Sequence, residues 1–268
     1  MTKCNASDFS KERCEQTMYA IITGASSGIG KEISTLLAAR KYNLILVARR
    51  KDRLELLKSK LEKKYSISVY IEVMDLNNAK NCFLLFEKYK AFPLSILVNN
   101  AGFGKVGHFS DCSLQNELDM IQTNIVALHI LTKLFIKNVN RGNILNVASM
   151  AAYTPSPVLA TYGATKSYVY SLSRAINYEL KKQHKAIHIT TLCPGPVDTE
   201  FHAVANASMS MHLQDVKSCA KAAVDGMFHN KSVVIPGFSM RLLHILIKIS
   251  PVSWALPLEY LIQSSKKQ

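Results

Sequence analysis

The chain has 268 residues, of which 48% are hydrophobic and 19% are charged, and its 33 Lys and Arg against 19 Asp and Glu leave a formal net charge of +14. This length and a mean hydropathy of +0.06 exclude a disordered chain and suffice for one large α/β domain. No stretch reaches the roughly 18 uncharged apolar residues of a membrane-spanning helix, and the six scattered cysteines indicate neither a metal site nor a disulfide framework.

The chain is expected to contain one folded unit with two short extensions. Residues 1–17 are polar and charged, which predicts a disordered leader without the apolar core of a signal peptide, so we expect a cytoplasmic protein. Residues 18–238 are expected to form a single domain, because no linker or repeat divides them. Residues 239–268 form an amphipathic C-terminal segment that is expected to complete the substrate pocket or an interface.

Short apolar runs rich in β-branched residues alternate with segments of helical period. The runs predict buried strands at residues 19–23, 43–48, 68–74, 95–99, 143–148, 186–193 and 232–235. Helices are predicted to begin near Ile29, Asp52, Asn78, Asn116, Tyr162 and Asp215. This alternation is typical of right-handed βαβ units, so we predict a single Rossmann-type α/β fold, a doubly wound parallel sheet of about seven strands with helices on both faces.

A glycine-rich turn, here called the glycine loop, follows the first predicted strand and opens the next helix. It consists of Gly24, Ala25, Ser26, Ser27, Gly28, Ile29 and Gly30. Its glycines let backbone N–H groups and the helix N-terminus approach a pyrophosphate, and the hydroxyls of Thr23, Ser26 and Ser27 favour a phosphate site over a purely structural turn. The spacing G-x-x-x-G-x-G, with no G-K-[ST] after it, excludes a P-loop ATPase.

The second predicted strand is followed by Arg49 and Arg50, where a dinucleotide fold usually places an acid that binds the ribose 2′-OH. Two guanidinium groups at this point favour a 2′-phosphate. The sequence therefore predicts NADP(H) rather than NAD(H), with solvated arginines that open the next helix as the alternative.

A candidate acid–base group lies on the fifth predicted helix. Tyr162 and Lys166 are four residues apart and share one helix face. A fixed ammonium stabilises a phenolate, so Lys166 is expected to lower the pKa of Tyr162 and allow proton exchange with an alcohol or ketone. Ser149 follows the fifth predicted strand, where its hydroxyl can hold the substrate oxygen.

These motifs resemble, in order and spacing, those of the short-chain dehydrogenase/reductase superfamily. The resemblance covers residues 18 to about 238, and its motifs are Thr23-Gly24-x3-Gly28-Ile29-Gly30, Asn99-Asn100-Ala101-Gly102, Asn124, Ser149, Tyr162-x3-Lys166 and Pro194-Gly195. The chain looks like the NADP-preferring branch that holds bacterial reductases and hydroxysteroid dehydrogenases. It departs from that branch at Ser27, where NADP-using relatives often carry a basic residue.

The resemblance implies a role for each matching residue. Tyr162 would be the general acid/base, Lys166 would lower its pKa and bind the nicotinamide ribose, and Ser149 would orient the carbonyl. Asn124 would hold a water that links Lys166 to solvent. The remaining implied cofactor contacts are Asp75 and Leu76 beside the adenine, then Asn100, Ala101, Gly102, Pro194, Gly195, Val197 and Thr199.

Together these features predict an NADP(H)-dependent oxidoreductase, acting on CH–OH groups, that interconverts a ketone and a secondary alcohol by hydride transfer. The expected pocket walls are the loop 153–159, a lid at 201–213 and the C-terminal segment, which carry few charges and favour a hydrophobic substrate. They supply Pro155, Pro157, Val158, Leu159, Phe201, Val204, Met209 and Met211, with His202 and His212 facing solvent. A hydroxysteroid-like ketone is favoured; the alternatives are a 3-oxoacyl thioester and, in another class, a non-catalytic NADP(H)-binding redox sensor.

The C-terminal segment also bears on partners. It is basic on one face and apolar elsewhere, so docking on the lid, on a second subunit or on a membrane surface is open, and packing against protein is favoured. A homodimer or homotetramer is expected. Nucleic-acid binding is not, because the basic residues are spread along the chain without a recognition helix.

Overall fold

The computed structural model describes residues 18–200 and 213–264. The predicted leader and the predicted lid, apart from Leu213, lie outside the described residues, and so do Phe201, His202, Val204, Met209, Met211 and His212.

The described residues form one parallel sheet of seven strands in the order β3-β2-β1-β4-β5-β6-β7. The strands are β1 Tyr19–Thr23, β2 Asn43–Ala48, β3 Val69–Val73, β4 Leu94–Asn99, β5 Arg141–Val147, β6 Ala186–Leu192 and β7 Val233–Val234. Every residue of β2 and of β4 is buried, as expected for central strands covered by helices on both faces. The predicted fold class is confirmed.

Nine α-helices lie within the described residues. They are α1 Gly28–Ala39, α2 Lys51–Tyr65, α3 Ala79–Tyr89, α4 Leu114–Ile121, α5 Leu128–Asn138, α6 Ala160–Lys182, α7 Val216–Phe228, α8 Phe238–Ile249 and α9 Val252–Ser264. Two predicted starting residues prove to be N-caps: Asn78 Oδ1 accepts a hydrogen bond from Lys80 N at 3.0 Å, and Asp215 Oδ2 accepts one from Ser218 N at 2.8 Å.

The helices divide the core into two layers. On one face, residues such as Leu37 of α1, Leu54 of α2 and Val224 of α7 pack against the sheet. On the other face, Phe86 of α3 and Phe135 of α5 fill the second core. The chain passes from the β3 edge back across the sheet to β4, which pairs with β1. This reversal opens a crevice at the carboxyl ends of β1 and β4, the usual ligand position in open α/β sheets.

The C-terminal helices α8 and α9 lie outside this double-layered body. None of the residues of α8 is buried. One contact that holds α8 is the ring of His244, whose centroid lies 4.0 Å from that of Tyr153. The exposed large apolar side chains of the two helices are Phe238, Leu242, Leu243, Ile245, Leu246, Ile249, Val252, Trp254, Leu258, Tyr260 and Leu261. Among the helices described, none is long and apolar enough to cross a membrane, and docking of this segment on protein or on a lipid surface stays a prediction.

Candidate active site

The glycine loop joins β1 to α1 with glycine at the positions where a side chain does not fit. Gly24 and Gly28 have φ angles of +66° and +52°, in the left-handed region that favours glycine. A Cβ atom on Gly24 would lie 2.7 Å from Asn100 Nδ2 and 2.9 Å from Ala101 Cα, and one on Gly30 would lie 2.5 Å from Gly24 O. Glycine at 24 and 30 therefore lets the loop pack against Asn100 and Ala101, and the backbone of Gly24 and Gly28 lines the crevice, as approach to a pyrophosphate requires.

Hydrogen bonds made by Thr23 and Asn100 hold the start of the glycine loop against β4 and the loop that follows it. Thr23 Oγ1 donates to Val98 O at 3.1 Å and accepts from the backbone N–H groups of Asn100 and Ala101, each at 3.0 Å. Asn100 Nδ2 donates to Thr23 O and to Gly24 O at 3.0 and 3.1 Å. The expectation that the Thr23 hydroxyl serves a phosphate is therefore wrong: it is buried and consumed by bonds within the protein.

The two arginines after β2 differ in their surroundings. Arg50 Nη2 donates to Ser26 Oγ at 3.0 Å and to Ser27 Oγ at 2.7 Å, so its guanidinium lies directly against the glycine loop. Arg49 is largely exposed and its nearest carboxylate oxygen, on Asp75, lies 3.8 Å away. Arg50 is thus the better-oriented cation of the pair.

Ser149, Tyr162 and Lys166 meet at the far end of the crevice. Ser149 lies two residues beyond β5, where its Oγ accepts a hydrogen bond from Ala151 N at 3.2 Å. Tyr162 and Lys166 belong to the first two turns of α6. Lys166 Nζ donates to Val147 O at 2.9 Å and lies 5.7 Å from the centroid of the Tyr162 ring. The helix spacing therefore places both groups beside Ser149, as predicted.

The pKa of the Tyr162 phenol moves in the direction opposite to the expectation. Burial raises it to about 12, and a hydrogen bond donated by the Ser149 hydroxyl acts in the lowering direction without reversing it. Burial also lowers the pKa of the Lys166 ammonium to about 8. Desolvation dominates both groups, and Tyr162 is protonated at neutral pH as it would also be at its ordinary pKa.

Asn124 performs a bracing role here. It lies in a π-helical turn, Gln122–Ala127, between α4 and α5. Its Nδ2 donates to Phe103 O at 2.9 Å and to Thr165 Oγ1 at 3.1 Å, and its Oδ1 accepts from Phe103 N at 3.1 Å. The side chain thus ties the loop after β4 to the residue that precedes Lys166. The implied water link to Lys166 stays a prediction.

One cavity of about 500 Å³ connects these groups. It runs from the glycine loop and Arg50 to Ser149, Tyr162 and Lys166. Of the predicted site residues, all line it except Gly30 and Asn124, and the liners are Gly24, Ser26, Ser27, Gly28, Ile29, Arg49, Arg50, Asp75, Leu76, Asn100, Ala101, Gly102, Ser149, Tyr162, Lys166, Pro194, Gly195, Val197 and Thr199. Gly30 does not line the cavity, because it packs against Gly24 and Asn100 on the protein side of the loop.

The loop after β6, residues 194–199, forms one wall of the cavity. It is held at residue 214, because Asp198 N donates to Gln214 O at 3.0 Å and Gln214 N donates to Pro196 O at 2.8 Å. Thr199 then reaches the glycine loop, since a Cβ on Gly28 would lie 3.1 Å from Thr199 Cγ2. These bonds position residues 194–199 over the crevice.

The substrate end of the cavity differs in part from the prediction. Leu159 lines it, whereas Pro155, Pro157 and Val158 do not. Val158 has turned inward, with a φ of +66°, to pack against Val106.

Sequence reasoning missed several liners, above all Glu200 and four C-terminal residues, Met240, Leu243, Ile247 and Glu259. The first three of these four recur at intervals of three and four residues, a helical spacing that would have marked them as one face.

The lining of the cavity fits a nicotinamide dinucleotide. Bare backbone approaches at the glycine loop, a guanidinium lies against it at one end, and an acid–base group lies at the other. Arg50, Ser26 and Ser27 would hold the phosphorylated ribose, and Tyr162 and Lys166 would hold the nicotinamide end.

Comparison with known proteins agrees with this geometry. The family model for short chain dehydrogenases matches residues 18–210. The chain belongs to the short-chain dehydrogenase/reductase family. A solved family member, a short-chain dehydrogenase from Sphingobium yanoikuyae in complex with NADPH, superposes with a TM-score of 0.78 at 27% identity, over 87% of this chain and 96% of that one.

Curated members of the family are similar over a shorter span. A very-long-chain 3-oxoacyl-CoA reductase from Phaeosphaeria nodorum is 34% identical over 61% of this chain and 50% of its own length. The human inactive hydroxysteroid dehydrogenase-like protein 1 is 30% identical over 70% of this chain and 58% of its own length. The chain therefore spans about half the length of the curated relatives it matches.

Proposed function

We propose that the protein is an NADP(H)-dependent oxidoreductase that interconverts a ketone and a secondary alcohol on a hydrophobic substrate. The observation that supports this most is that Ser149, Tyr162 and Lys166 line the same cavity as the glycine loop and Arg50. A cofactor bound across the glycine loop would therefore end beside a proton donor. When bound, NADPH supplies the hydride that reduces the carbonyl carbon.

The protein's own residues handle the proton. The Tyr162 phenol is protonated at neutral pH, since burial raises its pKa above an ordinary value that already lies near 10. It therefore carries the proton that a carbonyl oxygen takes up in the reductive direction. The Ser149 hydroxyl orients that oxygen. The Lys166 ammonium lies close enough to stabilise the phenolate that remains. Asn124 keeps Lys166 in place through its hydrogen bond to Thr165.

The substrate end favours an apolar ketone. Its walls include Met150, Leu159, Met240, Leu243 and Ile247, which supply flat and adaptable apolar surface. A hydroxysteroid-like ketone is the favoured class. A 3-oxoacyl thioester is the second candidate, supported by the similarity to a very-long-chain 3-oxoacyl-CoA reductase.

A substrate panel tests the proposal. Purified protein is incubated with ketosteroids, 3-oxoacyl-CoA thioesters or simple aromatic ketones, each with NADPH and with NADH, and cofactor oxidation is followed by absorbance. We expect turnover of one hydrophobic class with NADPH preferred. Tyr162→Phe should lower kcat by about a hundredfold or more, because the proton donor is lost, while NADPH binding persists.

Tyr168→Phe is the matched control, since Tyr168 lies on the same helix with its hydroxyl 2.7 Å from His129 Nδ1, outside the cavity. Full activity of Tyr162→Phe would refute the assigned proton donor. NADPH binding without turnover of any ketone would instead favour the redox-sensor alternative, which the similarity to a relative named inactive keeps in view.

A further inference from the structure

A carboxylate of the chain itself lies at the Arg50 end of the cavity. Glu200 Oε2 is 2.6 Å from Arg50 Nη1, and Glu200 Oε1 accepts a hydrogen bond from Arg53 Nη1. Glu200 lines the same cavity as Arg49 and Arg50. The chain therefore places its own anion against the guanidinium that is proposed to bind a 2′-phosphate.

The N–H groups of Arg50 are largely engaged in this arrangement. Its Nε and Nη2 donate to Ser26 Oγ and Ser27 Oγ, and its Nη1 donates to Glu200. The hydrogen bonds from Arg50 and Arg53 also lower the pKa of the Glu200 carboxyl to about 2, so the carboxylate is charged at neutral pH. A phosphate that approached Arg50 would meet a like charge on the same nitrogen.

The carboxylate can be displaced. About half of the Glu200 side chain is exposed (47%), and Arg50 and Arg53 are exposed to a similar degree. Exposed ion pairs contribute little free energy because water screens them. Glu200 therefore imposes a modest penalty on an incoming anion and leaves room for the anion to replace it.

We infer that Glu200 is a specificity-determining residue that competes with the cofactor 2′-phosphate for Arg50 and Arg53. This inference rests on the proposed use of NADP(H). A cofactor without the 2′-phosphate needs none of these N–H groups, so Glu200 would weaken NADP(H) binding and leave NAD(H) binding unchanged. The preference for NADP(H) is then smaller than Arg50 alone would set.

Two nucleotides that differ only in the 2′-phosphate isolate this effect. Calorimetry compares adenosine 2′,5′-bisphosphate with 5′-AMP on the wild-type chain, on Glu200→Gln and on Glu55→Gln. Gln keeps the shape of Glu but loses the charge. Glu55 on α2 is the matched control, because it is equally exposed and pairs only weakly, at 3.6 Å, with Lys51.

We expect Glu200→Gln to bind the bisphosphate about fivefold more tightly, a value taken from two exposed ion pairs. The affinity of Glu200→Gln for 5′-AMP should change less than about twofold. The affinities of Glu55→Gln for the bisphosphate and for 5′-AMP should also change less than about twofold, because surface substitutions have small energies. An unchanged bisphosphate affinity in Glu200→Gln, or an equal gain in Glu55→Gln, overturns the inference.

The same data separate this inference from the proposed function. If the wild-type chain prefers the bisphosphate and Glu200→Gln does not increase that preference, the role of Glu200 is refuted while the NADP(H) assignment stands. If Glu200→Gln binds the bisphosphate more tightly than 5′-AMP and the wild-type chain does not, competition by Glu200 is supported and the NADP(H) preference of the wild-type chain is refuted. If neither discriminates, both are refuted.

Discussion

The strongest test of the site architecture is Thr23→Val. Valine has nearly the shape of threonine, so the substitution removes a hydroxyl without opening a cavity. Thr23 is 1% exposed and its Oγ1 makes three hydrogen bonds, to Val98 O and from the N–H groups of Asn100 and Ala101. At about 1 kcal/mol for each lost bond, the free energy of unfolding should fall by about 3 kcal/mol. Because these bonds hold the end of β1, where the glycine loop begins, to β4 and to the loop after it, NADPH affinity should fall as well.

Urea unfolding followed by circular dichroism measures the change, with an unchanged slope as evidence that unfolding remains two-state. Thr23→Ser keeps the hydroxyl and should lose only about 1 kcal/mol, for one buried methyl group. Thr35→Val is the second control, because the Thr35 hydroxyl donates only within its own helix, to Lys31 O, and a change of about 0.5 kcal/mol or less is expected. If Thr23→Val matches the wild type, or if Thr23→Ser is as damaging, the hydroxyl does not join the two loops as described.

Two further predictions concern the Lys166 ammonium and the contact between α8 and the cofactor loop. Burial lowers the pKa of Lys166 from an ordinary value of 10.5 to about 8. Below pH 8 the buried ammonium therefore destabilises the folded chain, and the free energy of unfolding rises as the pH increases from 8 towards 10.5. Urea titration should therefore give Lys166→Met a free energy of unfolding up to about 3 kcal/mol above that of the wild type near pH 7, and this difference should narrow towards pH 10. A difference in unfolding free energy that does not change with pH contradicts this. Gly195→Ala should raise KM for hydrophobic ketones at a stability cost of about 0.5 kcal/mol or less, because its Cβ would lie 2.5 Å from Sδ at the end of the flexible Met240 side chain, which must then move within the cavity. In a Met240→Ala background the same change should leave KM where Met240→Ala alone puts it, and an equal rise in both backgrounds would contradict the contact.

The sheet and much of the site follow from local patterns in the sequence. Strands such as β2 and β4 are continuous apolar runs, and their burial on both faces is what the runs predict. The four-residue interval between Tyr162 and Lys166 fixes their shared face on α6 regardless of the rest of the fold. The glycine loop is equally local, because Gly24 and Gly28 take positive φ angles that the sequence signals directly.

Features that depend on distant partners were not predictable in the same way. Glu200 pairs with Arg50 across 150 residues of chain, and no spacing announces this. The raised pKa of Tyr162 depends on how deeply the phenol is buried, which the pair Tyr162 and Lys166 alone does not specify. The phosphate role predicted for the Thr23 hydroxyl fails because this group bonds to Val98 in β4 and to Asn100 after it, partners that lie 75 and 77 residues away in the chain.

Helix α8 lines the apolar end of the cavity but contributes no residue to the buried cores that stabilise the fold. This helix supplies Met240, Leu243 and Ile247 to the cavity, yet buries none of its own residues. Substitutions there can reshape the apolar end of the cavity while the cores on the two faces of the sheet keep their packing. We therefore expect a chimera that exchanges residues 238–264 to fold as the parent does and, if the proposed activity holds, to differ in the ketones it accepts.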